Sequence, residues 1–370
     1  MKTLQPDSRT LAYFISPHGF GHAARASAVM TAIQERDSRI RFEIFTTVPA
    51  WFFEESLRGP FSYHALLNDV GLVQEGPLRA NLPHTVTCLD EFLPFKQSRL
   101  EKLARKVERL GCALILCDIS PMGIAVAREA GVPSILVENF TWDWVYREYV
   151  VEETGFSPHI AYLETLFALA DFHIQTAPVC SKRSVDLAIG PVSRTARNGR
   201  LSVRKRLGIP EQTPMVVITM GGIPEKHGFI DQLAESKCAC FVVPGVGTLA
   251  KTVGNVILLP HRSQFFHPDL VHAADAVVGK VGYSTLAEVY HAGVPYGYIK
   301  RSRFQESEVL SEYVTDFMNG FAIDASEFQS GDWILRIPEL LDLPHVRREE
   351  PNGAEQVADF VLDALNGAAE

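Results

Sequence analysis

The chain has 370 residues, 46% of them hydrophobic and 21% charged, enough mass for two hydrophobic cores. A net charge of −9 and a pI near 5.8, with no basic block, exclude nucleic acid as the main partner. No apolar run approaches the ~20 residues that span a bilayer, and the first nine residues lack the apolar segment of a signal peptide. A cytoplasmic protein is expected, with contact to a membrane surface left open. The six cysteines are scattered, and Cys238-Ala-Cys240 has no second pair to complete a zinc site, so buried thiols are expected.

Leu11–Ile15 is a short apolar run that suits a buried parallel strand, and Ser16–His22 is the turn after it. Ala26, Val29, Met30 and Ile33 recur at helical spacing, which predicts a helix over Gly21–Arg36, and Arg41–Thr46 is the next strand. A glycine turn thus stands at the carboxyl end of the first strand, the edge where open α/β sheets bind ligands. Residues 50–95 are interrupted by Pro and Gly and predict a loop-rich region with one or two strands. Lys96–Leu110 is a basic amphipathic helix, Ala113–Cys117 a strand, Met122–Ala130 a helix stopped by Gly131-Val-Pro133, and Ser134–Val137 a strand. Residues 138–149 are dense in aromatics, which suits either pocket lining or a buried cluster. A helix over Ile160–Ala170 and a strand over Phe172–Thr176 follow.

Beyond Val192 the composition shifts to a polar, basic stretch, Ser193–Arg206, which predicts an interdomain linker and a short helix. Strands follow at Met215–Thr219, Cys240–Val243, Val256–Leu259, Ala276–Val278 and Tyr296–Ile299. Helices are expected after Gly282, over Ser307–Asn319 and over Ala354–Leu365. Strand–helix alternation in both halves predicts an α/β protein of two doubly wound, Rossmann-like parallel sheets. We place one domain over 1–190 and the other over 200–350.

Five features point to chemistry. Gly19-Phe-Gly-His22 puts a histidine in the first turn of a helix, where the dipole disfavours a cation and suits a general base. Asp118, ending a strand that can lie beside the first, is the candidate orienting carboxylate; the alternative is an N-cap of the next helix. His18 is the rival base. In the second half, the turn Lys280-Val-Gly282-Tyr-Ser284-Thr285 opens a helix whose free N–H groups suit phosphate, and Lys280 can neutralise a diphosphate. Glu288 suits vicinal hydroxyls, although Thr285-Leu-Ala-Glu288 also fits a capping box, the simpler assignment on spacing alone. Gly221 and Gly222 form a second candidate anion nest. No metal constellation stands out, so neither metal nor cofactor is expected.

The chain resembles the two-domain GT-B glycosyltransferases, in the branch of the N-acetylglucosaminyl transferase of peptidoglycan synthesis and the plant small-molecule glucosyltransferases. It is more closely similar to the non-kinase N-terminal part of plant L-arabinokinases. The likeness rests on His18-Gly-Phe-Gly-His-Ala-Ala-Arg25, Glu129-Ala-Gly-Val-Pro-Ser134, Asn139-Phe-Thr-Trp-Asp-Trp144, and Gly279-Lys-Val-Gly-Tyr-Ser-Thr285 with Glu288. It implies two domains facing each other across a cleft, with a last helix at 353–370 crossing back to the first domain. It also implies an inverting, metal-independent hexosyl- or pentosyl-transferase that takes a nucleotide sugar, most simply UDP-linked, as co-substrate and a hydroxyl acceptor. His22 matches the base and Asp118 its partner. Gly221, Gly222, Lys280, Gly282, Ser284, Thr285 and Glu288 fall on the donor side. His18, Gly19, Gly21, Arg25, Asn139 and Trp142 fall on the acceptor side. One departure is Lys300–Glu308, where the peptidoglycan enzyme is rich in glutamine. Here Gln305, Glu306 and Glu308 offer the comparable polar groups, and Arg301 and Arg303 suit a phosphate or a carboxylate. A nucleotide-sugar epimerase or hydrolase and a non-catalytic nucleotide-sugar module are the alternatives on the same fold.

Overall fold

The computed structural model describes residues 9–76, 79–220, 228–300 and 304–367. The chain divides into two compact units, residues 1–75, 80–192 and 351–370 in one, and 193–350 with 76–79 in the other.

In chain order, unit 1 runs β1 (Thr10–Ile15), α1 (Gly21–Arg36), β2 (Arg41–Thr46), α2 (Ala50–Ser56), β3 (Phe61–Ala65), a small β4 (Gln74–Gly76) and β5 (Arg79–Ala80) whose Gly76 and Arg79 fall in the other unit, α3 (Leu82–Phe92), and α4 (Gln97–Arg109). It continues with β6 (Cys112–Asp118), α5 (Pro121–Ala130), β7 (Ser134–Glu138), α6 (Trp142–Arg147), α7 (Phe156–Phe167), β8 (Phe172–Thr176) and β9 (Leu187–Ile189). Its main sheet is seven-stranded in the order β3-β2-β1-β6-β7-β8-β9, parallel throughout. Strand order reverses between β1 and β6, where Ile15 pairs with Asp118. β1 is buried on both faces, as its unbroken apolar sequence demands.

The terminal helix, Gly353–Gly367, belongs to this unit. Val357, Val361 and Leu365 enter the same core as Ala26, Val29 and Ile33 of α1. The Phe360 ring meets Phe172 edge-on, and Arg36 reaches Asp359 at 2.5 Å.

Unit 2 runs α8 (Arg200–Leu207), β10 (Met215–Thr219), α9 (Ile230–Glu235), β11 (Cys240–Pro244), β12 (Lys251–Val253), β13 (Val256–Leu259), α10 (His267–Ala273), β14 (Ala276–Lys280), α11 (Tyr283–Ala292), β15 (Tyr296–Ile299), α12 (Glu306–Phe317) and β16 (Gly320–Ile323). Two short helices, α13 (Ala325–Ser330) and α14 (Ile337–Leu341), close the unit, and the terminal helix is α15. The sheet order is β12-β13-β11-β10-β14-β15-β16, parallel except for β12 against β13. Here the order reverses between β10 and β14. Gly279 lies opposite Thr219 at that reversal, and a Cβ there would collide with the Thr219 carbonyl. Only glycine lets the two strands close up.

The expectation of a loop-rich 50–95 needs correction, since α2 and α3 lie within it. α2 is too short to show helical periodicity. In α3, Pro83 looks like a breaker but occupies the first turn, and Asn81 caps the helix by accepting from the His84 N–H at 3.0 Å. α10 was hidden in the same way by Pro268 in its first turn. All six cysteines are free.

Candidate functional site

Sheet topology selects two places. In open α/β sheets, ligands bind beyond the carboxyl ends of the strands where strand order reverses. Described candidate residues of each unit lie there.

In unit 1, Gly19 (φ 74°) turns the chain after β1, and α1 starts at Gly21 with His22 in its first turn. His22 and Arg25, three residues apart, share a helix face and both reach Asp118 at the end of β6. His22 Nδ1 lies 2.8 Å from Asp118 Oδ1. Arg25 donates from Nε to Oδ2 at 2.8 Å and from Nη2 to Oδ1 at 2.6 Å, a two-pronged clamp on a carboxylate with no exposure. Burial pushes the Asp118 carboxyl up. The Arg25 charge and the bonds from Arg25 and His22 outweigh that, and hold it below the ordinary carboxylate range. A carboxylate only accepts, so His22 Nδ1 carries the proton and Nε2 is left for other work. The N-cap of α5 is Ser120, not Asp118, which removes the capping alternative for Asp118.

The next residue, Ile119, is buried with φ 43°, a rare conformation for a β-branched side chain that costs on the order of 1–3 kcal/mol. Such strain concentrates at functional sites, and here it directly follows the carboxylate.

Asn139 is buried and fully used within the unit. Its Oδ1 accepts from Arg25 Nη1, and its Nδ2 donates to Thr176 Oγ1 at 2.8 Å and to Pro178 O at 3.1 Å. The aromatic run at 138–149 packs as a buried cluster in which Phe140, Trp142, Tyr146 and Tyr149 are each at most 6% exposed. Trp142 lies against His22 and edge-on to His18, with centroids 6.5 and 5.3 Å away. His18 therefore packs on the aromatic cluster, beside Gly71.

Asp69 carries no signal in the sequence. It is buried in the loop after β3, accepting from Trp142 Nε1 at 2.5 Å and from the Gly71 N–H at 2.8 Å. Burial, opposed by those bonds, pushes its carboxyl up to about 7. Because the folded value exceeds the unfolded one, the stability linked to Asp69 is complete below about 4 and is lost as pH rises to about 7, on the order of 4 kcal/mol in all. Carboxyl-carbon NMR is expected to show one aspartate titrating near 7, a signal that Asp69→Asn removes. A titration in the ordinary range contradicts it.

In unit 2, α11 begins after Gly282, and Gly293 (φ 67°) ends it in the left-handed conformation. Its N-cap, Gly282, has no side chain to bond the first turn, which carries Ser284 and Thr285. The capping box is corrected by this geometry. Thr285 is the third residue of the helix rather than its cap, and Glu288 points elsewhere. Glu288 Oε1 accepts from Arg194 Nε at 3.1 Å and Nη2 at 3.0 Å, and Oε2 from His267 Nδ1 at 2.7 Å. His267 Nε2 continues to Thr219 Oγ1, 3.2 Å away, at the end of β10. Burial pushes the Glu288 carboxyl up, but Arg194 and then His267 overcome it, so it sits below the ordinary range. The Arg194 and Arg197 guanidiniums lie over the Phe266 ring at 5.0 and 4.0 Å. Arg194 and His267 were not predicted, because they lie 94 and 21 residues from Glu288 and share no spacing with it.

Lys280 ends β14, and its carbonyl accepts from Tyr296 Oη at 2.8 Å. Gly221, Gly222, Arg301 and Arg303 lie outside the described residues. Glu306 is buried, and Glu308 pairs with Lys300 at 2.6 Å. Among the described residues, no group of His, Cys, Asp or Glu side chains gathers as metal ligands do, and no helix is long and apolar enough to cross a membrane.

No protein-family model matches the sequence. A UDP-glucosyltransferase from Polygonum tinctorium that glucosylates indoxyl superposes with a TM-score of 0.60 at 13% identity, over 98% of this chain and 95% of that one. The chain has the GT-B fold. In sequence, it is 25% identical over 366 residues to the L-arabinokinase of Arabidopsis thaliana, covering 96% of this chain and 34% of the plant protein, so it spans about a third of that relative's length. It is 22% identical over 279 residues to an uncharacterised glycosyltransferase of Methanopyrus kandleri, covering 71% of this chain and 78% of that protein.

Proposed function

We propose that this GT-B chain is an inverting, metal-independent glycosyltransferase that moves a sugar from a UDP-linked donor to an acceptor hydroxyl. The observation that carries the reading is the buried His22–Asp118 pair at the β1/β6 reversal of a GT-B unit. His22 Nε2 takes the proton of the acceptor hydroxyl, and Asp118 balances the imidazolium that forms. The acceptor oxygen then bonds to the anomeric carbon from the face opposite the diphosphate. The bond from that carbon to the diphosphate oxygen breaks, its electron pair leaves with UDP, and the configuration inverts.

Unit 2 supplies the donor side. The first turn of α11 offers the N–H groups of Ser284 and Thr285, with Gly282 letting the phosphates approach and Lys280 adding charge. Donors fixed toward a departing charge contribute on the order of several kcal/mol to such catalysis. Glu288 takes the ribose. A carboxylate has roughly four lone-pair positions. Arg194 and His267 occupy three of them, which leaves room for one ribose hydroxyl on Oε2.

The test is a thermal-shift screen of UDP, TDP and GDP and their sugars. A stabilisation of ~2.7 kcal/mol is expected with the UDP compounds at a hundredfold excess over the dissociation constant. No shift with any nucleotide overturns the donor site. A second reading, a non-catalytic nucleotide-sugar module, draws on the match to one third of a longer plant protein. Tight UDP-sugar binding without turnover over a panel of acceptors supports it, and free sugar released without acceptor marks a hydrolase instead.

A further inference from the structure

The unit 1 site contains a cation that a histidine–aspartate pair does not need. Arg25 is 6% exposed, and its guanidinium is used on every side. It clamps both oxygens of Asp118, meets Asn139 Oδ1, and reaches Thr176 Oγ1 at 3.4 Å and the Val137 carbonyl at 3.5 Å. It therefore ties together the carboxyl ends of β6, β7 and β8. His22 and Arg25 Nη2 share one oxygen, Asp118 Oδ1. In a bare pair, a buried carboxylate draws a proton onto its histidine to balance the charge. Here the carboxylate is balanced already.

We infer that Arg25 is the positioning residue of this site: it cancels the charge of Asp118 and fixes its plane, so that His22 is held by Nδ1 yet is not driven to keep a proton on Nε2. The inference rests on His22 being the base. A base loaded with a proton before the acceptor arrives cannot act, and Arg25 removes the main force that would load it. The other ionisable groups near the pair do not supply this cation. Tyr13 on β1 and Cys117 on β6 are buried, and burial raises both well above their ordinary values. Glu138 on β7 is an acid bonded by His173 and Gln175. Asp69 meets Trp142, and His18 packs on the same ring.

The experiment follows the His22 imidazole by NMR in the full chain labelled at histidine, with the signal assigned from His22→Gln. Arg25→Met leaves Asp118 uncompensated, and the His22 titration midpoint is expected to rise by at least about one pH unit, a tenfold gain in proton affinity. Arg25→Lys keeps the charge but loses the fork. Its midpoint is expected within about half a unit of the parent, while kcat falls and nucleotide binding does not. A folded Arg25→Met protein with an unmoved midpoint overturns the inference. Should that variant not fold, an Arg25→Lys midpoint raised by a full unit overturns it, because charge is then not what Arg25 supplies. The NMR result needs no substrate. If the midpoint moves as expected but kcat is insensitive to His22, the electrostatic role stands and the assignment of His22 as base fails.

Discussion

His22→Ala is expected to lower the rate of transfer about a thousandfold while UDP stabilises the variant as well as it does the parent. A positioned general base typically contributes a factor of ~100 to ~10,000. His22 is the group whose second nitrogen is left unoccupied once Nδ1 is committed to Asp118. Gly282, Ser284, Thr285 and Glu288, which we propose to hold the donor, belong to the other compact unit. Removing a ring that packs on Phe140 and Trp142 leaves a small cavity, and the variant should be somewhat less stable. Initial rates with a saturating UDP-sugar, read beside a UDP titration of the same preparation, separate the two effects. Loss of both transfer and UDP binding, or of neither, contradicts the assignment of His22 as base.

The sequence made the strands, and with them the positions of the candidate site, legible for a physical reason. Parallel strands buried on both faces are unbroken apolar runs, so Leu11–Ile15 and Ala113–Cys117 announce themselves. Their first polar successors, in the Ser16–His22 turn and at Asp118, then fall at the ligand edge. What the sequence could not show is how the charges are balanced. Arg25 stood in the sequence only as the last residue of the His18–Arg25 motif, and its clamp on Asp118 depends on β6 lying next to β1. Glu288 shows the limit more sharply. Local spacing favoured a capping box, but the helix starts at Tyr283, and the carboxylate is instead met from the 193–199 segment and from α10. A capping box is a contact within one turn and can be proposed from four letters. An ion pair between Arg194 and Glu288 is set by the packing of a whole unit.

That ion pair carries the largest stability effect expected in unit 2. Arg194→Met leaves the Glu288 carboxylate, 5% exposed, with His267 as its remaining partner. Breaking a buried pair from one side costs ~3–5 kcal/mol, because the surviving charge stays buried without compensation. The pH dependence identifies the cause. In the parent, Glu288 is held below its ordinary 4.5, so the stability it contributes is present above that value and is lost as pH falls through the folded one. In the variant, the lowering by Arg194 is lost and His267 alone opposes burial, so the folded value rises. The stability that Glu288 contributes above 4.5 shrinks with it. The gap between the two proteins must therefore open toward neutral pH and close in acid. Unfolding of the whole chain mixes two units. Native-state hydrogen exchange in β10 and β14 reads unit 2 by itself. A gap of equal size at pH 7 and near 4.5 means that Arg194 acts through packing on Phe266, not through its charge.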